Sequence, residues 1–206
     1  MNYKTPLDSL KNRAVKRVFD IVVSVPALIG IVMLMPYIAY RIKRESRGPV
    51  IFSQLRTGKE GREFYCYKFR SMHPNSESDT RQATKDDARL FPFGAVMRQH
   101  NIDELPQFWN VLKGDMSVVG PRPHMVYHTK QYAPLIDKYM LRHTVKPGIT
   151  GWAQVTGFCG ETKELDKMKE RVRRDLWYID HWSLKFDASI VWRTVKNILN
   201  KKIMTY

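Results

Sequence analysis

From Ile21 to Tyr40 the chain runs through 20 positions without a charge, and no other stretch of that length does so. At about 1.5 Å per residue such a run makes a helix of roughly 30 Å, the thickness of a bilayer's hydrocarbon layer. It is longer than a signal-peptide core, and no small-x-small cleavage site precedes the next polar segment, so it is expected to be retained. Basic residues flank both ends, Lys11, Arg13, Lys16 and Arg17 before it and Arg41, Lys43, Arg44 and Arg47 after it. The positive-inside rule asks for both flanks on the cytoplasmic side, which a straight span cannot provide. Pro26 and Pro36 each delete an intrahelical hydrogen bond, so the segment either enters and leaves one leaflet or crosses as a kinked single-pass anchor.

Beyond the apolar run the period shortens to two. "GPVIFSQL" and "REFYCYKF", separated by "RTGKEG", predict a β-hairpin with a glycine-containing loop. Alternation sets Tyr65, Tyr67 and Phe69 on one face and Cys66, Lys68 and Arg70 on the other, where the cations are readable as gatekeepers of a solvated edge. Residues 73–89 are polar and predict a surface loop or short exposed helix. Two amphipathic helices are expected to close the chain. In the first, Leu165, Met168, Val172, Leu176 and Ile179 form the apolar stripe, with Arg171, Arg174 and Asp175 off it. The second starts near Ser183 and sets Phe186, Ile190, Val191, Val195, Ile198 and Leu199 against Lys185, Arg193, Lys196, Lys201 and Lys202, a pattern open to core packing or to a seat in a membrane interface.

Composition narrows the class. At 206 residues with 43% hydrophobic content the chain can bury one good core. An apolar segment over residues 1–48 and a catalytic domain over 49–206 is the expected division. An excess of 35 Lys and Arg over 20 Asp and Glu points to a polyanionic partner: nucleic acid, an anionic membrane surface or a phosphorylated substrate. Cys66 and Cys159 belong to no CxxC pair, which argues against a zinc site or disulfide framework.

Against that positive background, "HNIDELPQFWNVLKGD" places Asp103 and Glu104 side by side before a Leu-Pro step. Proline is tolerated in a helix's first turn, so the spacing predicts a helix starting near Asp103 and ending at Lys113-Gly114, with the dyad at its N-terminus. There a carboxylate stays ionised and phosphate is attracted. Adjacent helical residues diverge by about 100°, so the two cannot flank a substrate as a glycosidase pair does. A divided task, with Asp103 attacking and Glu104 binding a hard cation such as magnesium, competes with simple capping. Arg98 lies upstream, and Arg122 stands between prolines in "GPRPH", a stiffened backbone suited to gripping phosphate. "KPGITGWAQVTG" gathers Thr150, Trp152 and Gln154 among glycines. His124 and His128 in "HMVYH" have a zinc pair's spacing but lack the glutamate of HExxH.

In order along the chain, "KRVFDIVVS", "GPVIFSQLRTGKEGREFYCYKFRSM", "NIDELPQFWNVLKGDMSVVGPRP", "VKPGITGWAQV" and "RDLWYIDHWSLKFD" resemble the bacterial sugar transferases, the monotopic phosphoglycosyl transferases. The resemblance implies an α+β fold, mainly helical around a small hairpin, with an N-terminal re-entrant membrane helix, amphipathic interfacial helices and a catalytic domain on the cytoplasmic face of the bacterial inner membrane. It implies Mg2+ and transfer of a sugar 1-phosphate from a UDP-sugar to undecaprenyl phosphate, with Asp103 as nucleophile and Glu104 as its metal-binding partner. Lys68, Arg70, Arg98 and Arg122 would hold phosphates, and Thr150, Gln154 and Asp175 complete the candidate substrate-binding set. The partners expected are UDP-sugar, undecaprenyl phosphate and anionic membrane lipids, with no nucleic acid. The family's Ser-Pro break differs here, because Pro36 follows Met35. "GFCGETKELDKMKERVRRDLWYI" is similar to the glucose phosphotransferase branch, with Glu161 and Arg171 as candidate sugar contacts. A membrane-tethered nucleic-acid-binding or regulatory protein is the rival from another class.

Overall fold

A single helix, α1, carries the apolar run: it spans Leu10–Glu45, 36 residues, and continues through both Pro26 and Pro36. The computed structural model describes residues 3–78, 82–84, 87–160 and 164–200. Lys201 and Lys202 of the expected closing helix, and Glu161, lie outside the described residues. The two ends of α1 are built into the rest of the chain while its middle is bare. Near the start, Lys16 Nζ donates to Asp187 at 2.6 Å, to the Val119 carbonyl at 3.0 Å and to the Tyr178 hydroxyl at 3.1 Å. Asp20 accepts from the Ser117 hydroxyl and the Val118 amide, and Arg17 donates to the carbonyls of Val111 and Leu112. Near the end, Ile31, Ile38 and Ile42 pack with Phe69, Phe91, Phe93 and Met97, and Glu45 accepts from the Phe93 amide at 2.6 Å. Between these anchors Val22, Ile29, Val32, Met33 and Leu34 are exposed.

The hairpin forms as the period-two pattern requires. β1, Ile51–Thr57, pairs antiparallel with β2, Glu63–Phe69, from Ile51 opposite Phe69 to Thr57 opposite Glu63. The Cys66 face turns inward, since Cys66 packs with Val111 in the core while Tyr65 is exposed. Lys68 therefore points to the interior, and the solvated-edge reading of its charge is corrected. After β2 come α2, Pro92–Gln99, and α3, Gln107–Lys113, which Gly114 ends in the left-handed conformation at φ 93°. Gly94 lets α2 start against the hairpin: a Cβ there would stand 1.9 Å from the Ser71 carbonyl oxygen. That close approach aims the following turn of α2, with Arg98, at the hairpin's open end.

A parallel pair not foreseen in the sequence lies at the centre. β3, Ser117–Val119, runs beside β4, Gly148–Thr150, separated by the short α4, Val126–Tyr132. At three residues each, these strands are too short for alternation to be visible. α5, Trp152–Val155, leads to α6, Leu165–Asp180, and α7, Leu184–Leu199, which Ser183 caps by accepting from the Phe186 amide. The apolar stripe of α6 packs as expected, with Met168, Val172 and Ile179 buried. Its polar flank does not stay in water: Arg171 and Asp175 are buried too. α7 buries Ile190 and Asp187 and leaves Trp192, Val195 and Leu199 exposed.

Candidate active site

The dyad sits on a 3-10 turn, Ile102–Glu104, entered through Asn101 at φ 56°. α3 begins four residues after Asp103, at Gln107, with Pro106 just before it. The expectation that Asp103 opens the helix is thus corrected: the turn precedes the helix, and Pro106 separates the two because its nitrogen carries no hydrogen to donate to a preceding carbonyl. The C-terminal end at Lys113-Gly114 is as expected.

Both carboxylates are buried, Asp103 at 3% exposure and Glu104 at 5%, and their surroundings differ. Glu104 is clamped. Arg122 donates to it through both terminal nitrogens, at 2.6 and 3.0 Å, and Lys68 Nζ donates at 2.7 Å. Burial pushes its carboxyl upward, but Arg122 and Lys68 outweigh burial and hold it well below the usual carboxylate range. Asp103 has no such clamp: its Oδ1 has no hydrogen-bond partner among the described residues. Burial, with the neighbouring Glu104 charge, pushes it up to about 6 against the pull of Lys68, Arg98 and Arg122. The two adjacent acids have therefore been driven apart, one a fixed anion and the other a desolvated carboxylate with a free oxygen. Such a split marks acid–base and nucleophilic sites.

Asp103 forms part of the wall of a cavity of about 320 Å³, together with Lys68, Arg98, Arg122, Arg89 and Arg171. The cavity is an anion receptor by composition, with Asp103 the one carboxylate in its wall among the described residues. The hairpin, α2, the GPRP turn and α6 each supply a cation. The GPRP turn is fixed from two sides, since Gly148 donates to the Pro121 carbonyl at 2.9 Å and Arg142 to the Arg122 carbonyl at 2.8 Å.

Three of the expected phosphate holders thus meet at Asp103, while the others have different roles. Arg70 lines the cavity but its guanidinium is held at the hairpin's end, donating to the Pro49 carbonyl, the Ser46 hydroxyl at 2.5 Å and the Ser46 carbonyl at 2.7 Å. It ties the end of α1 to β2. Thr150 pairs with the Thr194 hydroxyl at 2.7 Å and Gln154 donates to the Ile149 carbonyl, and neither lines the cavity. Asp175 lies behind the wall, accepting from Arg142 at 2.7 and 3.1 Å. Through Arg142 it braces the Arg122 backbone.

Arg142 was not legible beforehand, although its place in "KYMLRHTV" sets a lone arginine between Tyr139 and Val145, both of which prove buried. Arg171 lines the cavity while donating to the carbonyls of Phe158 and Gly160, and burial beside Arg122 lowers it to about 10. His124 and His128 also line it. His124 is paired with the Tyr139 hydroxyl at 2.7 Å, and burial with nearby arginines drives both imidazoles down, His128 to about 4 and His124 well below its ordinary value. Both are therefore neutral at pH 7.

Magnesium takes hard oxygen donors and commonly completes its shell from substrate phosphate, needing only one or two carboxylates from protein. The free Oδ1 of Asp103 beside Glu104 fits that donor set.

Known proteins resemble the chain over nearly its whole length. The family model described as bacterial sugar transferase matches residues 11–201. The chain is 51% identical over 189 residues, 91% of its length, to the UDP-glucose:undecaprenyl-phosphate glucose-1-phosphate transferase of Xanthomonas campestris pv. campestris, covering 39% of that protein. It is 50% identical over 97% of its length to the protein of the same description in Escherichia coli K12, covering 43% of it. A UDP-N-acetylgalactosamine-undecaprenyl-phosphate N-acetylgalactosaminephosphotransferase of Aeromonas hydrophila is 46% identical over 90% of the chain, which covers 44% of it. The chain spans about two fifths of the length of these relatives. With the family model matching nearly every residue, from the foot of α1 to the end of α7, the chain belongs to the bacterial sugar transferase family.

Proposed function

We propose that this chain transfers a sugar 1-phosphate from a UDP-sugar to undecaprenyl phosphate by double displacement at Asp103. The observation that carries the reading is the free, desolvated Asp103 carboxylate in a cation-lined cavity, beside a Glu104 already held by Lys68 and Arg122. An oxygen of Asp103 attacks the sugar-bearing phosphorus, forming an acyl-phosphate bond as the bond to the bridging diphosphate oxygen breaks. The bridging oxygen leaves with its electron pair as UMP. A phosphate oxygen of the lipid acceptor then attacks the same phosphorus, releasing Asp103 as carboxylate and completing the lipid diphosphosugar. Arg98 and Arg171 supply positive charge where the diphosphate lies, while the fixed Glu104 keeps Lys68 and Arg122 in place rather than collapsed onto Asp103. A magnesium ion held by Asp103 and Glu104 would offset the repulsion between carboxylate and diphosphate.

The membrane reading is proposed with it. α1 has both ends bonded into one domain, Lys16 to Asp187 and Glu45 to Phe93, and a bare apolar middle. Two anchored ends support a re-entrant segment that dips into the cytoplasmic leaflet and returns, with Pro26 and Pro36 as its weak points. Exposed Trp192, Val195 and Leu199 support an interfacial seat for α7 beside the same leaflet. A lipid phosphate at the bilayer surface and a soluble UDP-sugar then meet at one cavity.

Among sugars, glucose is favoured, since three relatives described as glucose-1-phosphate transferases match at 49–51% identity, against 46% for one described for N-acetylgalactosamine and 38% for one described for galactose, although a further glucose relative matches at 43%. The test is UMP release across a panel of UDP-sugars with undecaprenyl phosphate. UDP-glucose should react fastest. Faster release from UDP-N-acetylglucosamine or UDP-N-acetylgalactosamine overturns the sugar assignment, and no release from any donor, with salt-dependent retention on nucleic acid, overturns the reaction in favour of the binding-protein rival.

A further inference from the structure

A second cavity, of about 540 Å³, opens at the foot of α1 and shares no lining residue with the one that holds Asp103. Arg13, Lys16 and Arg17 of α1, Lys59 of the hairpin turn and Lys146 before β4 line it, with Asp20 as the one carboxylate among the described residues. These cations are not equivalent. Lys16 is neutralised by Asp187, Arg17 is occupied by two carbonyls, and Lys59 pairs with Glu60 at 3.1 Å. Asp20 is committed to Ser117 and Val118. The side chains of Arg13 and Lys146 have no hydrogen bond or ion pair among the described residues. Lys146 is half-buried, and burial, followed by the charges of Arg17 and Lys59, presses its pKa down against the opposing pull of Asp20 and Asp115. An excess of positive charge in a preformed cavity calls for an anion.

The rest of the wall says what kind of anion. Leu7, Leu10, Ala14 and Val145 also line the cavity. At about 100° per residue, Leu10, Ala14, Val18, Ile21 and Val25 fall within one narrow face of α1, and all are exposed. The face begins at the cavity, where Leu10 is 76% exposed, and runs into the apolar segment without a charge after Arg17 on its edge. A small free anion would use the cations and leave this face bare. We propose that the cavity binds the phosphate of an anionic glycerophospholipid of the leaflet that receives α1, with Arg13 and Lys146 as phosphate ligands and one acyl chain laid along Leu10, Ala14, Val18, Ile21 and Val25. The inference rests on the membrane placement of α1 proposed above and is independent of the phosphoryl-transfer chemistry. The bound lipid fixes the depth of the helix and hence the height of the Asp103 cavity over the bilayer.

The test uses the full chain in phosphatidylcholine nanodiscs with and without phosphatidylglycerol. Native mass spectrometry reads the phospholipid retained after transfer to detergent, and a thermal melt reads stabilisation. The wild type should retain phosphatidylglycerol and melt higher in the discs that contain it. Arg13→Gln with Lys146→Gln should retain about tenfold less or lower still and lose the shift, while melting as the wild type and releasing UMP normally in phosphatidylcholine alone. Lys146→Arg should keep the lipid. Retention at the wild-type level by the double variant overturns the proposal. So does a full shift from inorganic phosphate alone in phosphatidylcholine discs, or retention of undecaprenyl phosphate in preference to phosphatidylglycerol. Should the double variant melt low, Leu10→Gln with Val18→Gln decides, because it spares every cation: lost retention supports the lipid track and unchanged retention overturns it. Wild-type UMP release in the same discs is read separately, and its absence counts against the transferase reading alone.

Discussion

Lowering the pH should switch off Asp103 before it disturbs anything else in the cavity. Burial, then Glu104, raise its carboxyl from 3.8 to about 6. The displacement of roughly two units corresponds to about 3 kcal/mol at most against the ionised form. Two consequences follow with opposite signs. Attack needs the carboxylate, so the first-turnover release of UMP should have an acid limb of unit slope near pH 6 and fall to roughly a tenth of its plateau at pH 5. Stability moves the other way. The unfolded chain ionises near pH 4 and the folded chain only near 6, so the penalty is absent below pH 4, grows between 4 and 6, and is complete above. Asp103→Asn removes it. The variant should therefore be inactive yet melt higher than the wild type at pH 7.5, with the gain vanishing at pH 4. Quenched-flow UMP release from pH 5 to 8 and calorimetry at the two pH values check both arms. An acid limb centred at or below pH 4.5, or Asp103→Asn destabilised equally at both pH values, would refute the electrostatic reasoning.

Three further outcomes are expected. Arg122→Lys keeps the charge but replaces a two-pronged grip on Glu104 by at most one bond, so kcat/KM should drop about 10- to 100-fold with little change in melting temperature, read from steady-state UMP release. Asp175→Asn leaves Arg142, 1% exposed, without its counter-ion, which should destabilise the domain by about 3–5 kcal/mol in urea unfolding and loosen the Arg122 turn. Gly148→Ala would set a Cβ 2.1 Å from the Gly120 amide nitrogen, so β3 and β4 must part; a variant that melts within a degree or so of the wild type would show the parallel pair to be dispensable.

The dyad and Arg122 stood out because each sits in a motif whose chemistry is local, adjacent carboxylates before Leu-Pro and an arginine between prolines, whereas Lys68 read as a solvated-edge charge and was singled out only through the family resemblance. The long apolar helix and the hairpin were legible because their periods run over many residues. Arg70 was not, since what holds it, Ser46 and Pro49, lies more than 20 positions away and only the fold brings them to the guanidinium. The same holds for Arg142 and Asp175, whose burial as a pair is invisible to a helical wheel that assigns charged residues to water. Asp20 offers a signal in hindsight. A lone carboxylate at the threshold of an uncharged run is costly there unless bonded, and it bonds to Ser117 and Val118 of β3. The misplacement of the dyad at the start of α3 came from Pro106, which fits a first helical turn and a preceding 3-10 turn equally well.

The central claim is that Asp103 becomes covalently phosphorylated with the sugar still attached. Intact-protein mass spectrometry of the wild type, incubated with UDP-glucose and no lipid acceptor and then quenched in acid, measures this directly. The wild type should gain the mass of a phosphohexosyl group, lose it on addition of undecaprenyl phosphate, and Asp103→Asn should never acquire it. A wild type that releases UMP into lipid product without passing through the adduct, or an Asp103→Asn variant that still carries it, would contradict the account.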